Sequence, residues 1–219
     1  MDLVELKSLS IKKQLKLDQS DFGRVFSFVD FGNVDYWFDE DIYDQSGTVL
    51  PAGTKLVIDL ENLAQFAHIF SEQVRFYYGH DPANKKSMGF SFIAKSHFEP
   101  YFYTKPIQKI KHYLRGDEFI SATRVINEDE EGQYVYIPKC NFDVEISVDA
   151  IRLSDHFDTF CLFSSDADFV ALSRYLKKKG KKFILIKGGF VQYPLARSAN
   201  LVINAQDIKS YITRTKAKI

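Results

Sequence analysis

The chain has 219 residues, 45% of them hydrophobic, which suffices for one well-buried domain and is too apolar for a disordered segment. Its 29 basic and 29 acidic residues balance, so no global field recruits nucleic acid or a membrane, and a charged partner must be met by a local patch. Cys140 and Cys161 lack metal-ligand or redox spacing, and no stretch reads as a signal peptide or is apolar and long enough to span a bilayer; the expectation is a cytoplasmic protein with no membrane partner.

Leu3, Leu6, Leu9 and Ile11 fall at loosely helical spacing, which predicts a short N-terminal helical arm over residues 1–21, outside the main fold. Val25 to Val29 is almost wholly apolar, as a strand covered on both faces would be, and it ends in Asp30-Phe31-Gly32-Asn33. A brief extended piece follows at Lys55 to Ile58. Leu60, Leu63, Ala64, Ala67 and Phe70 then mark an amphipathic helix capped by Asp59. Val74 to Tyr78 reads as a strand, Met88 to His97 as a helix, and Tyr101 to Ile110 as an aromatic and then basic stretch.

Residues 119–126 and 133–138 flank an acidic turn and predict a hairpin. Val144, Val148 and Ile151 make a helical stripe after it. Phe160 to Phe163 is a buried strand, and Phe169, Leu172 and Leu176 lie on the helix that follows, stopped by Lys177 to Gly180. Phe183 to Ile186 and Leu201 to Ile203 are the last strands, and residues 211–219 read as a basic tail. Strands alternating with helices predict one three-layer α/β domain, residues 22–210, with a mainly parallel central sheet.

Acids recur where strands end. Asp30 closes one strand, Asp166 and Asp168 follow another, and Asp143 opens a helix. Ligands of open α/β sheets gather outside the carboxyl ends of the strands, so these four carboxylates can converge on one crevice. Gathered without a cation they would raise one another's pKa. Oxygen donors without His or Cys suit Mg²⁺ or Mn²⁺, which activate water for in-line attack at phosphorus. The competing reading makes Asp168 a helix cap and Asp166 a solvated acid. His80, His97 and His112 show no spacing for a metal or base site and read as turn and surface residues. An Asp-nucleophile phosphatase of the haloacid-dehalogenase type needs a second Asp where Gly32 stands, which sets that class aside.

The segment Phe28 to Val34 (F-V-D-F-G-N-V) resembles the opening motif of NYN domains, the PIN-like ribonuclease group that includes LabA-type proteins. Lys139 to Ile151 resembles the family's Lys-Gly-Val-Asp-Val segment and its helix, and Ser164 to Phe169 (S-S-D-A-D-F) its Ser-Gly-Asp-Ser-Asp-Phe signature. The likeness runs from about Val25 to Asp207, with Ser165 in place of the usual Gly and Asn200 where many members carry an acid. It implies a PIN-like, Rossmann-like fold and a metal-dependent ribonuclease, with Asp30, Asp143, Asp166 and Asp168 as metal ligands or water-activating groups. It also implies that Asn33 orients Asp30 or the scissile phosphate; a turn role for Asn33 stands beside that one. Asp149 matches the pattern too, but six positions after Asp143 it lies about 240° around the helix, which leaves support of the ligating residues from behind, or helix solubility, as its role.

A nuclease must also hold a polyanion. Lys105 and Lys109, near Tyr101, Phe102 and Tyr103, are the expected RNA-binding cations, because bases stack on aromatics while cations follow phosphates. Lys177 to Lys182 is denser in charge but sits at a helix C-terminus, where cations complement the dipole. RNA, single-stranded, is the expected partner, with homo-oligomerisation left open. The alternative is a non-catalytic RNA- or protein-binding module that keeps the fold.

Overall fold

Three apolar runs become adjacent strands: β1 (Val25–Asp30), β8 (Thr159–Phe163) and β9 (Lys182–Lys187). A computed structural model describes residues 2–18, 21–115 and 125–218. Helix α1 (Leu3–Gln14) precedes β1, and between β1 and β8 come α2 (Phe31–Val34), β2 (Thr54–Ile58), α3 (Leu60–His68), β3 (Gln73–His80), α4 (Lys85–Phe98), β4 (Phe102–Pro106), β5 (Gln108–Tyr113), β6 (Asn127–Asp129), β7 (Gly132–Lys139) and α5 (Asp143–Arg152). After β8 come α6 (Val170–Lys178), α7 (Tyr193–Ser198), β10 (Leu201–Asn204), α8 (Ala205–Ile212) and β11 (Thr213–Ala217).

The central sheet has six strands in the order β10-β9-β8-β1-β3-β4, every neighbouring pair parallel. Successive side chains of a strand point to opposite faces, and the core divides accordingly. Val25, Val29, Cys161, Phe163, Ile184 and Ile186 meet α1, α3, α4 and α8 on one face. Phe26, Phe28, Phe160, Leu162, Phe183 and Leu185 meet α5, α6 and α7 on the other. With both faces covered, the continuous apolar runs are what a parallel sheet requires. The strand order reverses between β1 and β8, so their carboxyl ends flank the switch point where such sheets bind ligands.

Buried polar clusters interrupt this apolar packing, and the one around Arg75 anchors α5. Arg75, on β3 and only 3% exposed, donates to Asp149 Oδ2 at 2.9 Å, and the Tyr77 hydroxyl donates to the same oxygen at 2.7 Å. Arg75 also donates to the Tyr103 hydroxyl of β4, and its guanidinium lies 4.7 Å from the Tyr103 ring centroid. This four-residue group therefore ties α5 to β3 and β4. On the opposite face the Ser27 and Ser71 hydroxyls meet at 2.5 Å.

The structure departs from the sequence reading at three places. The segment expected to stand outside the fold packs into it: Ile11, Leu15 and Leu17 are buried in the α3/α8 side of the core, and Tyr211 donates to Gln14 at 2.8 Å. The expected basic tail is not free over its described residues, 211–218, because Ile212 is buried and β11 pairs antiparallel with β2. The apolar stripe on α5 faces solvent, Val144 being 70% exposed, while Ile146, Asp149 and Ala150 face the core. Apolar periodicity misplaces that face because one of its core residues is a carboxylate with a buried partner. The hairpin forms as β6–β7, widened to three strands by β5, although residues 119–124 of the expected first strand lie outside the described residues.

Removing one partner of a buried ion pair leaves an uncompensated charge, at a cost of roughly 3–5 kcal/mol. Asp149→Ala should therefore destabilise the protein by about 3 kcal/mol or more in urea unfolding. A loss under about 1 kcal/mol would show that the tyrosines and aromatic rings around Arg75 satisfy it without Asp149.

Candidate metal centre at the carboxyl end of the sheet

Pairing of β1 with β8 sets Val29 opposite Phe163, so the next residues, Asp30 and Ser164, emerge side by side at the switch point. Asp30 is 7% exposed, and the Ser164 hydroxyl donates to its Oδ2 at 3.0 Å. The Asp166 N–H donates to the same Ser164 oxygen at 3.2 Å, and Asp166 Oδ1 accepts from the Asp168 N–H at 3.0 Å. The S-S-D-A-D turn is thus folded by its own hydroxyl and carboxylate, a local alternative to regular structure that Ser and Asp favour. Asp143 comes from the first turn of α5, where Asn141 donates to its Oδ2 at 2.9 Å.

Among the described residues, Asp143, Asp166 and Asp168 each place one carboxylate oxygen within 4.8 Å of the others. Asp30 lies deeper, close enough that Asp143 and Asp166 act on it electrostatically. Burial, more than any other cause, pushes the Asp30 carboxyl up to about 6, and the charges of Asp143 and Asp166 add to it. Asp143 is raised as well, by burial and then by Asp166 and Asp168. The donor set is entirely oxygen, and its like charges are only partly offset, by Lys105 acting on Asp143, which fits a hard divalent cation such as Mg²⁺ or Mn²⁺.

Asn33, Ser165 and Gly188 brace the rim. Asn33 Oδ1 accepts from the Ser165 N–H and from Trp37 Nε1, both at 3.0 Å. The Ser165 hydroxyl donates to the Gly188 carbonyl at 2.6 Å, tying the β8 turn to the end of β9. A Cβ on Gly188 would lie 2.3 Å from the Trp37 ring, so only glycine fits there. Asn33 therefore contacts the turn that carries Asp166 through its side-chain oxygen.

The expected RNA-binding cations are already paired. Lys105 forms an ion pair with Glu145 and sits 4.6 Å from the Phe142 ring centroid; Lys109 pairs with Asp81 at 3.3 Å. Asp149 points away from the acids, into Arg75 and Tyr77, as its angular offset from Asp143 requires. Two contributors carried no assigned role in the sequence. Ser164 is signalled only as a small hydroxyl residue directly after an apolar strand, and Glu145 as an acid two positions after Asp143.

Residues 24–207 match the NYN domain family. No curated protein matches the chain. Among solved structures, a protein of unknown function from Vibrio parahaemolyticus is 20% identical and superposes with a TM-score of 0.57, covering 89% of this chain and 99% of its own. At that identity the likeness speaks for the fold alone.

The raised Asp30 pKa has a measurable consequence. Its folded value lies above the ordinary 3.8, so the associated stability is present below about pH 4 and is lost as pH rises through about 6. With a chelator present, Asp30→Asn should be about 2–3 kcal/mol more stable than the wild type at pH 8, and no more stable at pH 4. A variant that is less stable at pH 8 would contradict the buried, repelled carboxylate.

Proposed function

The chain belongs to the NYN domain family, and on that premise we propose that it is a metal-dependent ribonuclease that hydrolyses RNA phosphodiester bonds. The observation that carries this reading is the convergence of Asp143, Asp166 and Asp168 above the buried Asp30, at the switch point of a parallel sheet. NYN domains are PIN-like nuclease domains that act on RNA, and the acidic pocket supplies the chemistry such an activity needs.

In this reading Asp143, Asp166 and Asp168 hold Mg²⁺ or Mn²⁺, with Asp30 completing the set from below. The cation, when bound, supplies a Lewis acid at the phosphoryl oxygens and a water of lowered pKa. The protein's own groups do the rest. Asp30, buried beside the Ser164 hydroxyl, takes the proton of the attacking water as the new P–O bond forms, and the departing sugar oxygen is protonated from solvent. Ser164 donates to its Oδ2 and so fixes the orientation of the carboxylate. Asn33 is a positioning residue that holds the Ser165 backbone, and with it the turn bearing Asp166 and Asp168. Lys105, leaning over Phe142 beside Glu145, is placed to exchange that carboxylate for a substrate phosphate.

The test pairs melting with cleavage. Adding Mn²⁺ at about a hundred times its dissociation constant should stabilise the wild type by roughly 2.7 kcal/mol, while Asp168→Asn should gain little. Cleavage of a labelled single-stranded RNA should require the metal and be abolished in Asp30→Asn and Asp168→Asn. Wild-type protein with neither metal-dependent stabilisation nor metal-dependent cleavage would instead be a binding module, and cleavage that survives both substitutions would place the chemistry elsewhere.

A further inference from the structure

The sheet face that carries α5, α6 and α7 holds a cleft of about 500 Å³ between α6 and α7, whose lining includes Arg174, Lys177, Lys178, Tyr193 and Arg197. Four of its seven lining residues are cations. Among the described residues none is paired with a carboxylate, although most basic residues at the candidate metal centre and on β5 are. The balance of charge over the whole chain makes this concentration a local feature. In water such a cluster gathers counter-ions, and an anionic occupant is the ligand it favours.

The cleft is also built. Its floor is the contact of α6 with α7, where the buried Ser173 and Ser198 hydroxyls meet at 2.9 Å. Small side chains at that point let the helices approach and leave the long cations to form the walls. Leu172, Leu176 and Leu195 seat both helices on the sheet. The Arg197 guanidinium lies 5.8 Å from the Tyr193 ring centroid, so one wall presents an aromatic face already set beside a cation.

Its position relative to the acids is set by chain geometry. The helix α6 begins two residues after Asp168, so Arg174 lies about 9 Å, and Lys178 about 15 Å, along its axis from the metal centre. The loop leading to α7 starts at Gly188, which is bonded to Ser165 at the pocket rim, and runs through Phe190, 87% exposed, to Tyr193. Exposed aromatic rings thus lead from the acidic pocket to the basic cleft, the combination that single-stranded nucleic acids use: bases on rings, phosphates on cations.

We infer that the α6/α7 cleft is a second binding site for the RNA substrate, gripping the phosphodiester backbone a few nucleotides from the scissile bond. This rests on the ribonuclease reading and assigns that substrate a path. It also reverses the weight expected of the two basic stretches. Lys105 and Lys109 hold counter-charges that must be displaced, whereas Arg174, Lys177, Lys178 and Arg197 do not.

Binding of a labelled single-stranded RNA of about a dozen nucleotides, titrated in the Asp168→Asn background so that the probe is not consumed, tests the site. Lys177→Gln/Lys178→Gln should weaken binding about tenfold and flatten the dependence of log affinity on log salt by roughly 1.4 units, at ~0.7 for each single-strand phosphate contact. Lys12→Gln/Lys13→Gln, which removes the same charge from α1 on the other face of the sheet, should leave both unchanged. Gln keeps helix propensity, and matching melting temperatures would exclude unfolding as the cause. Equal losses in both pairs would reduce the effect to net charge and overturn the cleft. So would undiminished binding in the cleft variant, while metal-dependent cleavage by the wild type left the ribonuclease reading standing. A parent protein that binds anionic vesicles and no RNA would remove both.

Discussion

Parallel pairing of β1 with β8 is the constraint on which the candidate centre depends. The register places Asp30 and Ser164 side by side, and everything at the pocket follows from that adjacency. The hydroxyl that holds Asp30 also receives the Asp166 N–H, so the buried acid and the exposed turn share one oxygen. A slip of one residue would send the entire apolar set of β8 to the other face of the sheet. The register is therefore specified by both halves of the core, and the geometry of the acids is inherited from hydrophobic packing.

What the core gives in rigidity the acids spend. Three carboxylates sharing a few ångströms, with a fourth buried beneath them, make the carboxyl end of the sheet locally unfavourable at neutral pH. Something must hold Asp143 there, because α5 comes from a different part of the chain and would otherwise retreat. Arg75 does this at a distance, by fixing Asp149 from the underside of the same helix. About 1.7 turns separate the two aspartates, so the residue that faces the core and the residue that faces the pocket are rigidly coupled by helical geometry. Lys105 and Glu145 add a second, exposed tie at the other end of β4.

Much of this was legible before the fold was known. Strands covered on both faces are continuous apolar runs, and Val25–Val29, Phe160–Phe163 and Phe183–Ile186 all fall at the centre of the sheet. Acids at strand ends were equally visible, because a carboxylate interrupts an apolar run abruptly. Other features leave no such trace. The inward face of α5 contains Asp149, which only the distant Arg75 makes a core residue, so periodicity selects the solvent-facing Val144, Val148 and Ile151 instead. The docking of α1 rests on Ile11, Leu15 and Leu17, whose spacing straddles the helix end. Pairing of β11 with β2 joins segments more than 150 residues apart and is specified by neither alone. The α6/α7 cleft is invisible for a similar reason: Lys177 and Lys178 look like an ordinary helix terminus until α7 brings Arg197 beside them.

Trp37 is the single tryptophan of the chain, and it stands at the junction of these parts. Its indole N–H is bonded to the oxygen that holds Ser165, its ring stacks on Phe163 at the end of β8, and Gly188 presses against its edge. Indole emission is sensitive to hydrogen bonding at Nε1 and to the packing of polar groups along the ring. The protein thus carries one indole among its twelve tyrosines, placed where the turn bearing Asp166 and Asp168 meets the loop leading toward α7. Excited at the red edge of the near-ultraviolet band, where tyrosine absorbs little, that indole reports on the ordering of the turn.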